Sequence, residues 1–203
     1  THAPADVPPT RVYVPPLPAE AARRLGTFEL LRLLGAPSGQ GEVWLGRHLI
    51  LNRLCAVKML RPDHQGREAF ARFLREMEQH AQLDHPNIVS VLHAEEIDGQ
   101  PILVMKYVDG LSLHDLIQRH APLPVPDAGE LVRQAALGLQ HAHEQGVVHR
   151  DVKPGNLMLD RTLTVKVLDF GLARPRAAEA DDESGRLTQY GAFMGTPDYI
   201  APE

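Results

Sequence analysis

The residues HRDVKPGN at 149–156 decide how this chain folds. They follow an apolar helical pattern that stops at Gly146, and the strand-like residues LMLD at 157–160 come directly after them. Two further strings follow in order, DFG at 169–171 and APE at 201–203. Three such strings in one order are specific enough to locate the remaining segments by their distance from them.

The composition is that of an ordinary soluble domain, because 43% of the 203 residues are hydrophobic and 23% are charged. The formal net charge of -5 provides no basic surface for a phosphate backbone, so nucleic acid is not an expected partner. No apolar run is long enough to cross a bilayer, and we expect no membrane segment in this chain. The single cysteine, Cys55, excludes an internal disulfide and predicts a reducing, cytoplasmic location.

The first half of the chain predicts a linker and a small sheet. Residues 1–26 hold six prolines and little apolar periodicity, which indicates a flexible linker. The short apolar runs that follow, separated by Gly, Ser, Pro and Asn, predict five antiparallel strands. A helical pattern at 67–83 stands between the third and fourth strands, and Asp98-Gly99 forms the last turn. We therefore expect a first unit at 27–108, with a five-stranded antiparallel sheet and one long helix.

The second half, residues 109–203, predicts mainly helix. A short helix is expected at 112–120 and a longer one at 126–145. A hairpin follows around Arg161-Thr162, and the segment 173–186 has the charged, aperiodic composition of a loop. Strands followed by helices indicate an α+β fold.

The strings above, together with HPNIV at 85–89 and GTPDYIAPE at 195–203, resemble the signature of the eukaryotic-type (Hanks-type) Ser/Thr protein kinase family in its bacterial branch. The resemblance covers residues 27–203. It implies a two-lobed kinase fold, with the N-lobe at 27–108 and a partial C-lobe at 109–203 that stops at the APE motif. The activity it implies is transfer of the γ-phosphoryl group of ATP, with Mg²⁺ or Mn²⁺, to Ser or Thr hydroxyls of protein substrates.

The catalytic loop carries most of the implied chemistry. By resemblance, Asp151 orients the substrate hydroxyl and accepts its proton. Lys153 would contact the γ-phosphate, and its presence resembles Ser/Thr kinases and not Tyr kinases. Asn156 and Asp169 would supply the hard oxygen ligands that a magnesium ion prefers.

Two charged residues of the first unit complete the implied catalytic set. Lys58, in AVKML, resembles the lysine that holds the α- and β-phosphates, and Glu76 has the family's placement for the helix carboxylate that pairs with it. His80 stands where the family usually has an apolar side chain against Phe170. We interpret it as a buried histidine.

The loop LLGAPSGQGEV at 33–43 departs from the family pattern G-x-G-x-x-G-x-V. Anchoring the pattern on Gly41 and Val43 leaves the first two glycine positions without glycine, whereas anchoring it on Gly35 needs a one-residue insertion. In both cases Gly35, Gly39 and Gly41 are the expected phosphate-binding glycines.

The resemblance also implies an adenine site. Adenine would lie between Val43 and Ala56 on one side and Leu157 or Leu159 on the other. The other nucleotide-binding residues that we expect are Met105 at the gatekeeper position, Lys106 and Val108 in the linker between the lobes, and Ser112.

Regulation by phosphorylation follows from Arg150, which precedes the catalytic aspartate. An arginine at this position pairs with a phosphate and orders a loop. Thr188 is the first expected acceptor and Tyr190 the second, whereas Thr196 would support the substrate-binding loop. Self-association for autophosphorylation is a further expected interaction.

Two other functions remain open at this point. A kinase-like scaffold is favoured by the atypical glycine loop and by the partial C-lobe, and the ordered catalytic residues oppose it. A small-molecule phosphotransferase is disfavoured because GTPDYIAPE resembles a loop that docks a polypeptide. Without the helices that normally support the catalytic loop, we expect this chain alone to be marginal or inactive.

Overall fold

The computed structural model describes residues 23–35, 41–60, 77, 80–170 and 199. Its first part is a six-stranded antiparallel sheet in the order β1-β2-β3-β4-β6-β5. The strands are β1 (Arg23–Leu25), β2 (Phe28–Leu33), β3 (Gly41–His48), β4 (Arg53–Leu60), β5 (Val91–Ile97) and β6 (Gln100–Lys106). The α+β class and the five predicted strands are confirmed.

Strand β1 differs from the sequence-based expectation. It lies at residues that we assigned to the end of the proline-rich linker, and it makes the sheet six-stranded. Gly26, with φ +55°, allows the tight turn between β1 and β2, and the side chain of Leu25 is buried. A three-residue strand is too short to show an alternating pattern, so only its burial against the sheet identifies it.

Two apolar clusters lie on either side of the sheet. One contains Phe28, Leu30, Val57 and Ile102 among its buried members. The other contains Ala56, Met77, Val89, Leu103 and Met105. Because neighbouring residues of β4 alternate between the two clusters, each face of that central strand is covered.

The helical part follows β6. It comprises β7 (Gly110–Ser112), α1 (Leu113–His120), α2 (Val125–Glu144), a 3₁₀ turn (Pro154–Asn156), β8 (Leu157–Asp160) and β9 (Val165–Val167). The two predicted helices and the predicted hairpin are therefore confirmed. Of the helix predicted at 67–83, residues 77, 80 and 81 are helical, and 61–76 lie outside the described residues.

Strand β9 joins the two parts of the molecule. Val89 donates its N–H to the carbonyl of Val167 (3.0 Å), and Val167 donates to the carbonyl of Asn87 (2.8 Å). Helix α2 packs on the same strand, and Gly138 allows its close approach, since a Cβ there would lie 2.8 Å from the Asn87 carbonyl oxygen. The segment that leads from the helix at 80–81 to β5 is thus hydrogen-bonded to the helical part.

Candidate active site

The catalytic loop is held by the imidazole of His149, whose side chain is buried. Nε2 of this ring lies 2.7 Å from the carbonyl oxygen of Leu168, and Nδ1 accepts the N–H of Asp151 at 3.2 Å. Only the neutral tautomer with its proton on Nε2 satisfies both contacts. Burial lowers the pKa of His149, although its bond to the Leu168 carbonyl opposes this. The ring therefore fixes Asp151 and the residues just before Asp169 relative to each other.

Asp151 is 7% exposed and is oriented by two neighbours. Lys153 Nζ lies 2.9 Å from its Oδ2, and Asn156 Nδ2 donates to its backbone carbonyl at 2.7 Å and to Oδ2 at 3.2 Å. The 3₁₀ turn that begins at Pro154 brings Asn156 back over the loop. A buried carboxylate held in this way has little freedom to rotate, which favours its use as an oriented proton acceptor.

Lys58 and Asp169 meet although 111 positions separate them (169 − 58). Lys58 extends from the centre of β4 with a side chain only 2% exposed, and its Nζ lies 3.0 Å from Oδ1 of Asp169. Asp169 has φ +51°, in the left-handed region that aspartate tolerates better than most residues. The strand thus places a buried ammonium opposite the carboxylate that follows β9.

Two oxygen atoms at this place suit a divalent cation. Asn156 uses Nδ2 on Asp151, which leaves Oδ1 as its ligand atom, and Asp169 uses Oδ1 on Lys58, which leaves Oδ2. Amide and carboxylate oxygens are the donors that magnesium and manganese take. Two protein ligands fit a cation that completes its shell with phosphate and water oxygens.

The residues expected around adenine form one wall. Ala56 is paired with Met105 across β4 and β6, and both belong to the cluster that Val43 and Val108 also contact. Val43 is opposite Lys58 in the β3–β4 register, so the residues expected around adenine lie next to the lysine that we expect to bind the phosphates. Leu157 is buried in a different cluster, together with Val165 and Val167 of β9, and Leu159 packs against that cluster.

Two residues that we expect to contact the nucleotide, Lys106 and Ser112, already make hydrogen bonds within the protein. The backbone N–H of Lys106 bonds to the Ser90 carbonyl at 3.0 Å, and its side chain is exposed. Ser112 caps α1, because its Oγ accepts the N–H of Asp115 at 3.0 Å and contacts the Asp115 carboxylate at 2.6 Å. A nucleotide-binding role for either residue stays a prediction.

The glycine loop is described at its two ends. Gly35 is exposed, whereas Gly41 begins β3, is buried and has φ +122°, a conformation that L-residues rarely adopt. The N–H of Leu34 bonds to the Val43 carbonyl at 2.8 Å and closes the base of the hairpin. Gly39 lies outside the described residues.

Of the remaining predicted residues, the structure describes Arg150. This residue is exposed, has φ +64° and lies next to Asp151. Predicted residues outside the described ranges are Glu76, Thr188, Tyr190 and Thr196. Their roles stay predictions.

His80 does contact Phe170, as the sequence indicated. Their ring centroids are 5.7 Å apart, and Phe170 in turn lies 4.8 Å from His149. Burial, and then the nearby His149, lower the pKa of His80 to about 4. His80 is therefore a neutral ring against Phe170 at neutral pH, but it is half-buried and not the fully buried histidine that we expected.

Sequence reasoning missed the role of Asn87. Its side chain is almost fully buried, and Nδ2 donates to the Val165 carbonyl at 2.9 Å and to Gln134 Oε1 at 3.2 Å. The signal was present in HPNIV, because a polar residue between a proline and two β-branched residues needs buried partners.

Over the described ranges, no helix has the length and apolar character to span a membrane.

Comparisons with known proteins agree with this geometry. The profile of the protein kinase domain family matches residues 28–203. The chain is 42% identical over 181 residues to the Ser/Thr-protein kinase PknB of Mycobacterium leprae, covering 87% of this chain and 28% of that protein. It is 36% identical over 179 residues to the Ser/Thr-protein kinase PrkC of Bacillus subtilis, covering 88% of this chain and 26% of that protein.

A solved structure shows the same fold. The crystal structure of the Mycobacterium tuberculosis PknI kinase domain superimposes with a TM-score of 0.62 at 34% identity, over 75% of this chain and 62% of that domain. Protein kinases use ATP and a divalent metal, which agrees with the presence here of a buried lysine and of two oxygen atoms suited to a cation. The chain spans little more than a quarter of the curated relatives' length. With a matching profile over residues 28–203 and a relative 42% identical over 181 residues, this chain belongs to the protein kinase domain family, beside the bacterial Ser/Thr kinases.

Proposed function

We propose that the protein transfers the γ-phosphoryl group of ATP to serine or threonine hydroxyls of other proteins, with magnesium as its metal. The observation that carries the proposal is the convergence of two ion pairs, Lys58 with Asp169 and Asp151 with Lys153. The first joins β4 of the N-lobe to the residue that follows β9 by two positions, and the second lies in the catalytic loop. Phosphoryl transfer needs both a phosphate clamp and an oriented base, and this cleft offers one of each.

Each residue has a distinct task in the proposed reaction. Lys58 would neutralise the phosphates that precede the transferred group, and Asp169 and Asn156 would hold the cation, which offsets charge on the transferring oxygens. Asp151, kept in place by His149 and Asn156, would orient the hydroxyl and receive its proton.

Lys153 supports the serine/threonine assignment. Its ammonium lies 2.9 Å from Asp151 and is about one-third exposed, so a γ-phosphate entering the cleft lies within its reach. A cation at this point offsets charge as it develops in the transition state.

Phosphorylation of the segment after Asp169, with the phosphate paired to the exposed Arg150, belongs to the same proposal. A cytoplasmic site of action, where ATP is available, belongs to it too.

Asp151→Asn tests the proposal. The full-length protein would be incubated with radiolabelled ATP, Mg²⁺ and a generic protein substrate, with Asp127→Asn in the exposed first turn of α2 as the matched control. We expect Asp151→Asn to lower the rate by at least about 100-fold and Asp127→Asn to leave it unchanged. Equal rates for wild type and Asp151→Asn would overturn the proposal, and label on phosphotyrosine alone would overturn the acceptor assignment.

A kinase-like scaffold would give a different result in the same assay. It would show no transfer for any variant, including wild type and the Asp127→Asn control. Replacing Mg²⁺ by Mn²⁺ distinguishes the two metals, and we expect the higher rate with Mg²⁺.

A further inference from the structure

Two imidazole rings stack where the segment after the N-lobe helix meets α2. His85 belongs to that segment and His141 to α2, with ring centroids 5.1 Å apart and an interplanar angle of 25°. Neither residue has a part in the phosphoryl-transfer geometry described above. Their contact lies near Asn87 and Lys166.

His85 is used as a hydrogen-bond acceptor. The backbone N–H of Asn87 donates to its Nδ1 at 3.1 Å, so the neutral ring carries its proton on Nε2. A protonated imidazole has two donors and no acceptor. Adding a proton to His85 would therefore remove the partner of the Asn87 N–H, in a residue that is only 6% exposed.

Asn87 connects His85 to β9, the strand that precedes the proposed metal ligand Asp169. It donates from Nδ2 to the Val165 carbonyl at 2.9 Å, and its own carbonyl accepts the N–H of Val167 at 2.8 Å. The first residue of β9 is thus bonded to the side chain of Asn87, and the last residue of β9 is bonded to the backbone carbonyl of Asn87. Asp169 follows Val167 by two residues, so a displacement of β9 moves Asp169 relative to Lys58.

The groups that face His85 come from three elements. His141 faces it from α2, Lys166 from β9 and Asp84 from its own segment. Burial, with His141 and Lys166, lowers the pKa of His85, and Asp84 opposes the shift. His141 contributes a second cost, because its Nε2 is buried with no hydrogen-bond partner among the described residues, and a proton there would be a donor without an acceptor.

We propose that His141 is a positioning residue that, through His85 and Asn87, holds β9 and Asp169 in place while the His85 ring is neutral, and that a proton on His85 releases them. The inference rests on the proposed kinase function only in its effect on rate. The stacked His141 ring and the nearby ammonium of Lys166 both oppose a positive charge on His85. The chain would therefore lose activity on acidification, at a lower pH than that at which an ordinary histidine titrates.

His141→Phe is the test variant, since phenylalanine keeps an aromatic ring against His85 and cannot be charged. His143→Phe is the matched control, because it makes the same change two residues along α2 at an exposed position. We would measure kcat/KM of the full-length protein between about pH 7.5 and about pH 5.5, where an ordinary histidine titrates. His141→Phe should fall by at least about threefold more than wild type and His143→Phe, because His141 no longer opposes a proton on His85.

A second measurement does not depend on catalysis. Amide hydrogen exchange of Asn87 and Val167, followed by NMR over the same pH range and corrected for intrinsic exchange rates, reports the two bonds directly. Protection of both amides should decrease on acidification in both proteins, and the decrease should begin at a higher pH in His141→Phe than in wild type. His141→Gln, uncharged at every pH, should behave like the phenylalanine variant and replaces it if that variant does not fold.

The two proposals fail in different ways. An absence of phosphoryl transfer in wild type and every variant would refute the kinase function, and the exchange data would still decide the role of His141. Rate profiles and protection factors that are the same in wild type and His141→Phe would overturn the inference.

Discussion

Two short turns, HPN at 85–87 and HRD at 149–151, share one local hydrogen bond, and each is also bonded to the segment 165–168. In each, the imidazole Nδ1 accepts the backbone N–H two residues on, at 3.1 Å from Asn87 and 3.2 Å from Asp151. Their surroundings differ. His149 is 3% exposed, bonds to Leu168 and contacts Phe170, whereas His85 is half-buried and stacks on His141.

The difference shows how one local design serves two purposes. The turn at 149–151 ends in the carboxylate of Asp151, the residue that we propose as proton acceptor. The turn at 85–87 directs an amide side chain into the protein interior, so its third residue anchors β9. Substitutions at matched positions of the two turns should therefore separate catalysis from stability.

The largest expected effect is at Lys58. Its partner Asp169 directly follows the segment 165–168, to which both turns are hydrogen-bonded. Lys58→Met removes a buried ammonium and leaves Asp169 without this partner. We expect the rate of phosphate transfer to fall by at least about 1,000-fold, because the phosphates lose their cationic clamp. Steady-state assays with radiolabelled ATP measure it. A rate within tenfold of wild type, the approximate effect of one weak contact, would contradict the assignment of Lys58.

Asn87→Ala should break the comparison in the opposite sense to Asp151→Asn. It leaves the Val165 carbonyl without its buried donor, and the expected loss of unfolding free energy is about 2 kcal/mol. Urea denaturation measures the loss, and Asp151→Asn is the matched comparison, with an expected change below about 1 kcal/mol. Equal destabilisation by the two substitutions would show that the turns do not differ in purpose.

The pH dependence of stability should follow from histidines that are neutral in the folded chain. The pKa of His80 falls from 6.5 to about 4 in the folded chain, and burial also lowers that of His149. Because the unfolded chain binds more protons between these values, stability is full above about pH 6.5 and decreases as pH falls toward 4.

His80→Leu tests the pH dependence, since leucine keeps the apolar contact with Phe170 and cannot be protonated. It should remove on the order of 2 kcal/mol of the loss in unfolding free energy between neutral and acidic pH. Urea titrations at several pH values measure both curves. Parallel curves for the two proteins would contradict the account of His80.

The smallest expected effects compare two glycines of α2. At Gly138 a Cβ would lie 2.8 Å from the Asn87 carbonyl oxygen, whereas at Gly129 nothing lies within 4 Å. Gly138→Ala should therefore destabilise by about 1–3 kcal/mol, and Gly129→Ala should stabilise by about 0.5–1 kcal/mol because alanine favours helix. Thermal unfolding gives both values, and a change of the same sign at the two sites would contradict the close packing of α2 on HPN.

Much of this could be predicted from the sequence. The strings at 149–156 and 169–171 identify the catalytic loop and the metal ligand, because each carries several chemically required residues at fixed spacing. The strands and the two helices follow from apolar periodicity. Strand β1 could not be found in this way, since three residues carry no periodicity.

The remainder depends on tertiary contacts that no local pattern contains. The stacking of His85 on His141 joins residues 56 positions apart (141 − 85), and the double use of Asn87 requires knowledge of where β9 lies. Nothing in the spacing of His85 and His141 along the chain connects the two segments. Side-chain partners across elements are set by packing and not by spacing.

The central claim is that Lys58, Asp151, Asn156 and Asp169 surround one metal-bound triphosphate. A crystal structure of the full-length protein with Mn²⁺ and a non-hydrolysable ATP analogue tests it most directly, because Mn²⁺ is located by its anomalous signal. We predict an anomalous peak coordinated by Asp169 and Asn156, with Lys58 on the phosphates. A nucleotide bound elsewhere, or a metal that neither residue contacts, would contradict the claim.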